Sequence, residues 1–202
     1  MRSTRRSVST EPRYFTRSDI DVLGAVPHVV RAPHVVRASL IVALGEYRGE
    51  LRRAIHAMKF RNARWIAARF GRHLARAVQE REIDIATFAP TTISRTRRRG
   101  HDQSALIAAS VARTLRVPCV RTLRRLDERV QTGSSRAERL RGPRFVVHGR
   151  AVCGRTVLLV DDVLTTGSTL RHAREALLRA GAREVHCAVV AYVKAPPLSR
   201  VE

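Results

Sequence analysis

The apolar residues of this chain fall into short continuous runs and into longer stretches with helical spacing. Continuous runs predict buried strands, and apolar residues three or four positions apart predict helices. The strands are predicted at 38–44, 84–89, 119–123, 156–160 and 184–193, and the helices at 49–60, 63–81, 104–115 and 168–180. The strand, helix and strand that end this series predict a right-handed βαβ unit.

The remaining segments lack a sustained apolar period. Residues 1–37 contain an immediate duplication of PHVVRA and are expected to form an irregular or disordered extension. Residues 91–103 are predicted to form a polar, basic loop, 124–144 a long mobile segment, and 196–202 a C-terminal tail. The expected organisation is therefore one α/β domain over 38–195, with a central, mostly parallel sheet flanked by helices.

Composition narrows the class of protein. The chain has 202 residues, of which 44% are hydrophobic, and no apolar run reaches the roughly 18 residues that span a bilayer. Its basic N-terminus lacks the apolar stretch of a signal peptide, so we expect a cytoplasmic protein without membrane insertion.

Cys119, Cys153 and Cys187 are isolated from one another. This spacing disfavours a disulfide framework or a zinc ribbon and predicts three small buried residues.

The net charge of +22 is carried almost entirely by arginine, since Lys59 and Lys194 are the only lysines. Half of this charge lies between Thr91 and Arg150, where fifteen arginines accompany four acidic residues. Such a field attracts polyanions, either nucleic acid or a small phosphate compound. The alternative is a solvated, arginine-rich surface, and the aromatic content of 4% disfavours extensive base stacking.

The segment VLLVDDVLTTGSTL, at 157–170, carries the candidate chemistry. Its strand places Asp161 and Asp162 at a carboxyl end, where open α/β sheets bind ligands. Gly167 permits a turn whose amides face an anion, and the helix that follows presents its N-terminal N–H groups to a phosphate. Hydroxyl donors are supplied by Thr165, Thr166, Ser168 and Thr169.

The two carboxylates would repel phosphate and are expected to face a ribose diol or Mg²⁺ instead. A phosphate and a ribose separated by one short loop are two parts of phosphoribosyl pyrophosphate (PRPP). An ordinary β-turn-α connection with a Ser/Thr cap would explain one hydroxyl, but not the adjacent carboxylates. The chain contains neither G-x-x-x-x-G-K-[ST] nor G-x-G-x-x-G, the motifs of other phosphate loops.

These motifs resemble the PRPP motif of type I phosphoribosyltransferases, and the match extends to the ComF family, which is associated with competence and DNA uptake. The supporting segments are YRGELRRAIHAMKF at 47–60, APTTISRTRRRGHDQSALIA at 89–108 and QTGSSRAERLRGPRF at 131–145. His101 stands where the family usually has another aromatic ring. No cysteine precedes Cys119, so the N-terminal zinc ribbon of many ComF proteins is missing. The lack of a carboxylate at Thr165 disfavours a hypoxanthine or guanine acceptor.

The resemblance implies transfer of a phosphoribosyl group from PRPP, with Mg²⁺ as cofactor and pyrophosphate as leaving group. Asp161 and Asp162 are then the catalytic candidates, and residues 131–144 resemble the mobile hood that closes over PRPP. The implied PRPP-binding residues are Asp161, Asp162, Val163, Leu164, Thr165, Thr166, Gly167, Ser168 and Thr169. The pyrophosphate-binding candidates are Thr91, Thr92, Arg99, Gly100 and Lys59.

Two classes of function follow from these features. The first is an enzyme that uses PRPP, Mg²⁺ and an acceptor that the sequence does not name. The second is a non-catalytic PRPP-fold module that binds single-stranded DNA, or a competence partner such as a helicase, through its arginine-rich face. An intact DDVLTTGST segment favours PRPP binding in either class, and the oligomeric state stays open.

Overall fold

The structure, a computed structural model, describes residues 41–61, 63–126 and 143–194, together with the backbone of 28–30. The strands are β1 (His28–Val30), β2 (Ile41–Glu46), β3 (Ile85–Phe88), β4 (Leu123–Leu126), β5 (Arg144–Val147), β6 (Thr156–Leu164) and β7 (Glu184–Tyr192). The helices are α1 (Gly49–Phe60), α2 (Arg64–Val78), α3 (Ile93–Arg99), α4 (Gln103–Leu115) and α5 (Ser168–Arg179).

Five strands form the central sheet in the order β1-β2-β7-β6-β3. The strands β2, β7, β6 and β3 are parallel, and β1 pairs antiparallel with β2. Phe88, the last residue of β3, pairs with Val160, which immediately precedes Asp161. The loop after β3 therefore leaves the sheet beside the carboxylate pair. This architecture confirms the predicted α/β class.

The two faces of the sheet are covered by different helices. Leu158 and Val160 pack into a cluster with residues of α1, α2 and α4, whereas Val157 and Leu159 pack into a second cluster with residues of α5. All four side chains are fully buried because β6 lies between two layers of helix. This coverage on both faces explains why β6 appears in the sequence as a continuous apolar run.

The predicted loop over 91–103 is wrong, because α3 occupies most of it. The Thr92 side chain caps this helix by accepting from the Arg95 amide at 3.4 Å, and Gly100 ends it with a left-handed φ of 73°. None of the residues of α3 is buried. A helix without a buried side chain leaves no apolar period in the sequence, so only its caps mark it.

The predicted strand over 119–123 is also wrong. Cys119 makes an isolated bridge to Ala86, and the regular strand of this region is β4, which pairs antiparallel with β5. Both strands lie partly within the segment predicted to be mobile, of which residues 127–142 are outside the described residues. The strand β1 likewise falls within the extension predicted to be irregular.

Cysteine burial differs from the expectation at two of three positions. Cys119 and Cys153 are exposed, and only Cys187 is buried. Burial in the sheet raises the pKa of the Cys187 thiol to about 12, so this side chain acts as a small apolar residue. None of the described helices is long and apolar enough to cross a membrane.

We predict that Gly71→Ala destabilises the protein. A Cβ atom at this position would lie 2.4 Å from the Cβ of Ser110 and 2.8 Å from the Ile107 carbonyl oxygen, where α2 crosses α4. Alanine gains about 1 kcal/mol of helix propensity, but overpacking costs about 1–3 kcal/mol and this contact is severe. Urea unfolding should show a net loss of roughly 1–2 kcal/mol.

The matched control is Arg72→Ala at the neighbouring, exposed position of α2. Surface substitutions of this kind usually change stability by about 0.5 kcal/mol or less. A Gly71→Ala variant as stable as the parent would show that the two helices separate without cost, which contradicts the close packing.

Candidate functional site

Two adjacent carboxylates lie near the carboxyl end of β6. The Asp161 Oδ1 atom accepts hydrogen bonds from the Ser104 hydroxyl and from the Asp162 amide, both at 2.8 Å. The Asp162 Oδ2 atom lies 2.6 Å from the Lys59 ammonium, and both of these side chains are mostly buried. The carboxylate pair is therefore held by one residue from α1 and one from α4.

Burial raises the pKa of Asp161 to about 7, and the charge of Asp162 acts in the same direction. The Ser104 hydrogen bond, the Asp162 amide and Lys59 oppose this shift without cancelling it. At neutral pH the Asp161 carboxyl therefore exchanges between its charged and neutral forms. A ligand that prefers one form can displace this equilibrium.

We predict that Asp161→Asn stabilises the ligand-free protein at pH 8. The carboxyl has a pKa near 3.9 in the unfolded chain and about 7 in the folded one. The folded state consequently binds more protons than the unfolded state across this interval, and its stability falls as the pH rises from about 4 to 7. Asparagine removes that penalty, so urea unfolding at pH 8 should show a gain of about 2–4 kcal/mol, the upper figure being the full linkage free energy of the raised pKa.

The gain should shrink as the pH falls and become small near pH 4, where the folded parent is protonated and the unfolded parent is about half protonated. The control is Glu175→Gln on α5, where the carboxylate is half-buried and lies 3.7 Å from Arg171, and it should change stability little at either pH. A gain that stays constant from pH 8 to pH 4 would contradict the raised pKa of Asp161.

The turn between β6 and α5 joins the carboxylates to a helix N-terminus. Gly167 adopts a left-handed φ of 77° as the N-cap of α5, a conformation that glycine tolerates best. Because the cap is glycine, no side chain at that position bonds to the first amides of the helix. Thr165 and Thr166 are exposed, and Ser168 and Thr169 are half-buried. These hydroxyls and amides form an open, anion-compatible cradle.

The loop after β3 is braced by Asp102. Its Oδ2 atom accepts from the Thr91 amide at 2.9 Å, and its Oδ1 atom caps α4 by accepting from the amides of Ser104 and Ala105. Burial raises the pKa of Asp102, whereas these three amides lower it. The same residue thus fixes the loop and the helix that carries Ser104 to Asp161.

Arg99 lies at the end of α3, close to the carboxylates. Its guanidinium lies over the Phe60 ring, with 5.0 Å from Cζ to the ring centre, and its Nη1 donates to the Gln103 side chain at 3.0 Å. Burial lowers the pKa of Arg99, and the charge of Asp162 partly offsets this effect. The Phe60 ring and the Gln103 side-chain amide therefore position Arg99, and its guanidinium interacts electrostatically with Asp162.

An open cleft of about 750 Å³ adjoins the carboxylate pair. Its lining residues are Lys59, Phe60, Arg64, Arg98, Arg99 and His101. Of the pyrophosphate candidates, Lys59 and Arg99 line the cleft, whereas Thr91, Thr92 and Gly100 do not. Within the described ranges no group of three or more His, Cys, Asp and Glu side chains is placed to hold a metal ion by itself.

Several residues of this site were missed by the sequence reasoning. Ser104 lies within the segment APTTISRTRRRGHDQSALIA at 89–108, so its place in that motif was a signal that could have found it. Phe60 and Arg64 lie at the junction of two predicted helices and carry no local signature. Only the packing of α1 against α2 and α3 brings them to the cleft.

Two comparisons with known proteins identify the family. The model of the phosphoribosyl transferase domain matches residues 67–200. Competence protein F of Haemophilus influenzae is 30% identical over 161 residues, which cover 72% of this chain and 69% of that protein.

Solved structures with a similar fold include a glutamine PRPP amidotransferase from B. subtilis. It is 28% identical with a TM-score of 0.46, over 61% of this chain and 25% of the amidotransferase. A purine phosphoribosyltransferase from Pyrococcus horikoshii is 22% identical with a TM-score of 0.44, over 66% and 79% of the two chains. The chain thus spans about a quarter of the amidotransferase.

A mostly parallel sheet with paired carboxylates at one strand end, followed by a hydroxyl-rich turn and a helix, defines a protein with the type I phosphoribosyltransferase fold. The chain belongs to the phosphoribosyl transferase domain family. Its similarity to competence protein F over most of its length makes it a ComF-like member, as the motifs predicted.

Proposed function

We propose that this chain binds PRPP with Mg²⁺ and transfers the phosphoribosyl group to an acceptor, releasing pyrophosphate. The observation that carries the proposal is the position of the Asp161–Asp162 pair between two anion-compatible surfaces. One is the hydroxyl-rich turn before α5, and the other is the cationic cleft that contains Lys59 and Arg99. PRPP has a ribose between two phosphate-bearing ends, so its chemistry matches this order.

In this proposal the ribose hydroxyls donate to the carboxylates, and the 5′-phosphate accepts from the amides and hydroxyls of 165–169. The carboxylate oxygens also suit Mg²⁺, which proteins commonly bind through one or two carboxylates together with substrate phosphates. Asp161 and Asp162 would hold the ion, which supplies positive charge against the leaving pyrophosphate. Binding of cationic or hydroxyl groups at Asp161 favours its charged form, so PRPP affinity should rise with pH through about 7.

Lys59 and Arg99 are proposed to stabilise the negative charge that develops on pyrophosphate. Lys59 lies 2.6 Å from Asp162, which keeps the ammonium at the boundary between the ribose and pyrophosphate positions. The Thr91–Gly100 segment adds backbone amides, and Asp102 holds its first part in place. Preorganised charge of this kind lowers the barrier without moving at the moment of reaction. The proposed hood, 131–144, lies mostly outside the described residues.

Isothermal titration of the purified chain with PRPP, with and without Mg²⁺, tests the binding step. Saturable binding that strengthens with Mg²⁺ is expected. Turnover is tested separately by pyrophosphate release in the presence of candidate acceptors. Absence of PRPP binding under both conditions would refute the proposal, and PRPP binding without turnover for any acceptor would favour the non-catalytic module.

Single-stranded DNA binding is the second candidate function, and the composition of α3 favours it. Four of its seven residues are arginine, and Arg95, Arg97 and Arg98 are exposed. Arg124, on β4, differs from these three arginines because its Nε atom donates to His148 Nε2 at 3.1 Å. Fluorescence anisotropy with a single-stranded oligonucleotide at two salt concentrations tests this function. A log-log slope of about −0.7 per phosphate contact, flattened by Arg95→Ala with Arg97→Ala, would support it.

A further inference from the structure

The cationic cleft has more positive charge than the acidic side chains around it neutralise. Four of its six lining residues are cations, and among the described residues only Lys59 of these four forms an ion pair, with Asp162. Arg64 and Arg98 make no ion pair or hydrogen bond within the described part of the chain, and Arg98 lowers the pKa of the neighbouring Arg99 by repulsion. Like charges gathered around a cleft indicate a site for an anion.

The cleft also has a planar, apolar side. Phe60 is 51% exposed, which is unusual for an aromatic residue at the end of a helix that is otherwise packed against the sheet. Arg99 lies over its ring, and the His56 ring lies 4.7 Å away at an angle of 45°. Pyrophosphate alone would use the cations and leave this aromatic surface in water. A flat ring that carries an acidic group would use both.

His101 provides a second, independent sign of a ligand. The residue is 9% exposed and is one of the residues that line the cleft. Its Nε2 atom lies 3.3 Å from the Met58 carbonyl oxygen, which can only accept, so Nε2 is the donor. In the neutral ring Nδ1 then has a free lone pair, and this buried atom has no hydrogen-bond partner among the described residues. A buried polar atom of this kind is usually satisfied by water or by a ligand.

We propose that the outer cleft, formed by Phe60, Arg64, Arg98 and His101, is the acceptor subsite, and that the acceptor is a planar ring compound with a carboxylate or similar acidic group. This inference rests on the proposed function. The carboxylate pairs with Arg64 and Arg98, in the bidentate geometry that guanidinium groups favour. The acceptor ring lies against the exposed part of the Phe60 side chain, with His101 at the edge of the cleft.

Lys59 lines the cleft and contacts Asp162, so an acceptor in the cleft adjoins the position proposed for the ribose. A ring nitrogen or oxygen of the acceptor forms the bond to C1 of the ribose. The bond between C1 and the pyrophosphate oxygen breaks, and pyrophosphate leaves with the electron pair. Any proton on the attacking atom passes to solvent or to a nearby base.

Matched pairs of ring compounds test the subsite by calorimetry in the presence of pyrophosphate and Mg²⁺. The probes are orotate, nicotinate and anthranilate, each compared with its neutral counterpart, uracil, nicotinamide or aniline. At least one acid should bind about tenfold or more tightly than its counterpart, because a charge-assisted pair is worth about 1.5–3 kcal/mol. Arg64→Ala with Arg98→Ala should abolish this preference, and Phe60→Leu should weaken binding of the same acid.

The control variant is Arg72→Ala with Arg113→Ala, which removes two exposed arginines from α2 and α4 outside the cleft. It should retain the preference for the acid and bind PRPP as the parent does, whereas the Arg64/Arg98 variant should lose far more affinity for the acid than for PRPP. Failure of every acid to exceed its counterpart overturns the inference, as does an equal loss of PRPP affinity in the Arg64/Arg98 variant. Loss of single-stranded DNA binding in that variant, without acid binding in the parent, assigns the cleft to nucleic acid. PRPP binding by the parent is measured alone, so failure of the proposed function is seen separately.

Discussion

Replacing Asp161 and Asp162 together with asparagine should lower the affinity of the chain for PRPP–Mg²⁺ by about a hundredfold at pH 8. A hydrogen bond to a charged group is worth about 1.5–3 kcal/mol, and about 1.4 kcal/mol corresponds to tenfold in affinity. The two carboxylates are adjacent and share Lys59 as a charge partner, so their contributions are not additive. Isothermal titration at pH 8, where Asp161 is mostly charged in the parent, measures the loss.

Whether the PRPP affinity falls or rises in this double variant distinguishes between two arrangements of PRPP at the carboxylates. If the carboxylates only faced the phosphates of PRPP, their removal would relieve repulsion and raise the affinity. If they bind the ribose hydroxyls and Mg²⁺, their removal lowers the affinity and also removes its dependence on Mg²⁺. Unchanged or tighter binding in the double variant would therefore refute the assignment of the site.

Asp84→Asn is the matched control for this substitution. Asp84 accepts from the Thr156 amide at 2.7 Å and pairs with Arg183, at the amino end of β6 and away from the cleft. This substitution removes one carboxylate at the opposite end of the strands. PRPP affinity should stay within about twofold of the parent, since a distant surface charge contributes little after screening.

Arg99→Ala should lower PRPP affinity by about tenfold or more, with an equal loss of inhibition by free pyrophosphate. The guanidinium lies near Asp162 and is partly desolvated, so its interaction with a phosphate oxygen is stronger than that of an exposed arginine. Competition titration of PRPP with pyrophosphate measures both losses. Arg99→Lys should recover part of the affinity, because lysine keeps the charge but loses the planar contact with Phe60 and the bond to Gln103.

The exposed Arg121 provides the charge-matched control for Arg99. Arg121→Ala removes one positive charge outside the cleft and should leave PRPP affinity nearly unchanged. An equal decrease for Arg99→Ala and Arg121→Ala would mean that PRPP responds to the overall field of the protein. The local assignment of Arg99 to pyrophosphate would then be withdrawn.

Much of the fold followed from local periodicity. The bounds of α1 agree with the predicted 49–60, because Leu51, Ile55 and Met58 form one buried stripe. The βαβ unit from β6 to β7 was also predicted, since its strands are covered on both faces and its helix has a regular apolar face. The end of β6 was placed four residues too early, because the backbone continues to pair with β7 through two polar aspartates.

The elements that the sequence did not predict correctly are those that bury few side chains. The helix α3 has no buried side chain, and β4 and β5 pair with each other outside the main sheet. Such elements are stabilised by caps and by pairing across a long separation in sequence, and neither leaves a strong apolar pattern. The arginine-rich stretch therefore looked like a loop, although it contains a capped helix that carries Arg98 and Arg99 to the cleft.

The sequence by itself determined the α/β class, the strand that bears Asp161 and Asp162, and the hydroxyl-rich turn after it, because each depends on neighbouring residues within one local element. Only the tertiary structure decided what surrounds the carboxylates. Lys59 and Ser104 come from helices 103 and 57 residues away from Asp162 and Asp161, and their contacts arise because α1 and α4 pack on the same face of the sheet. The raised pKa of Asp161 and the cleft around Arg64, Arg98 and His101 have the same origin, since burial and charge clustering depend on which elements the folded chain brings together.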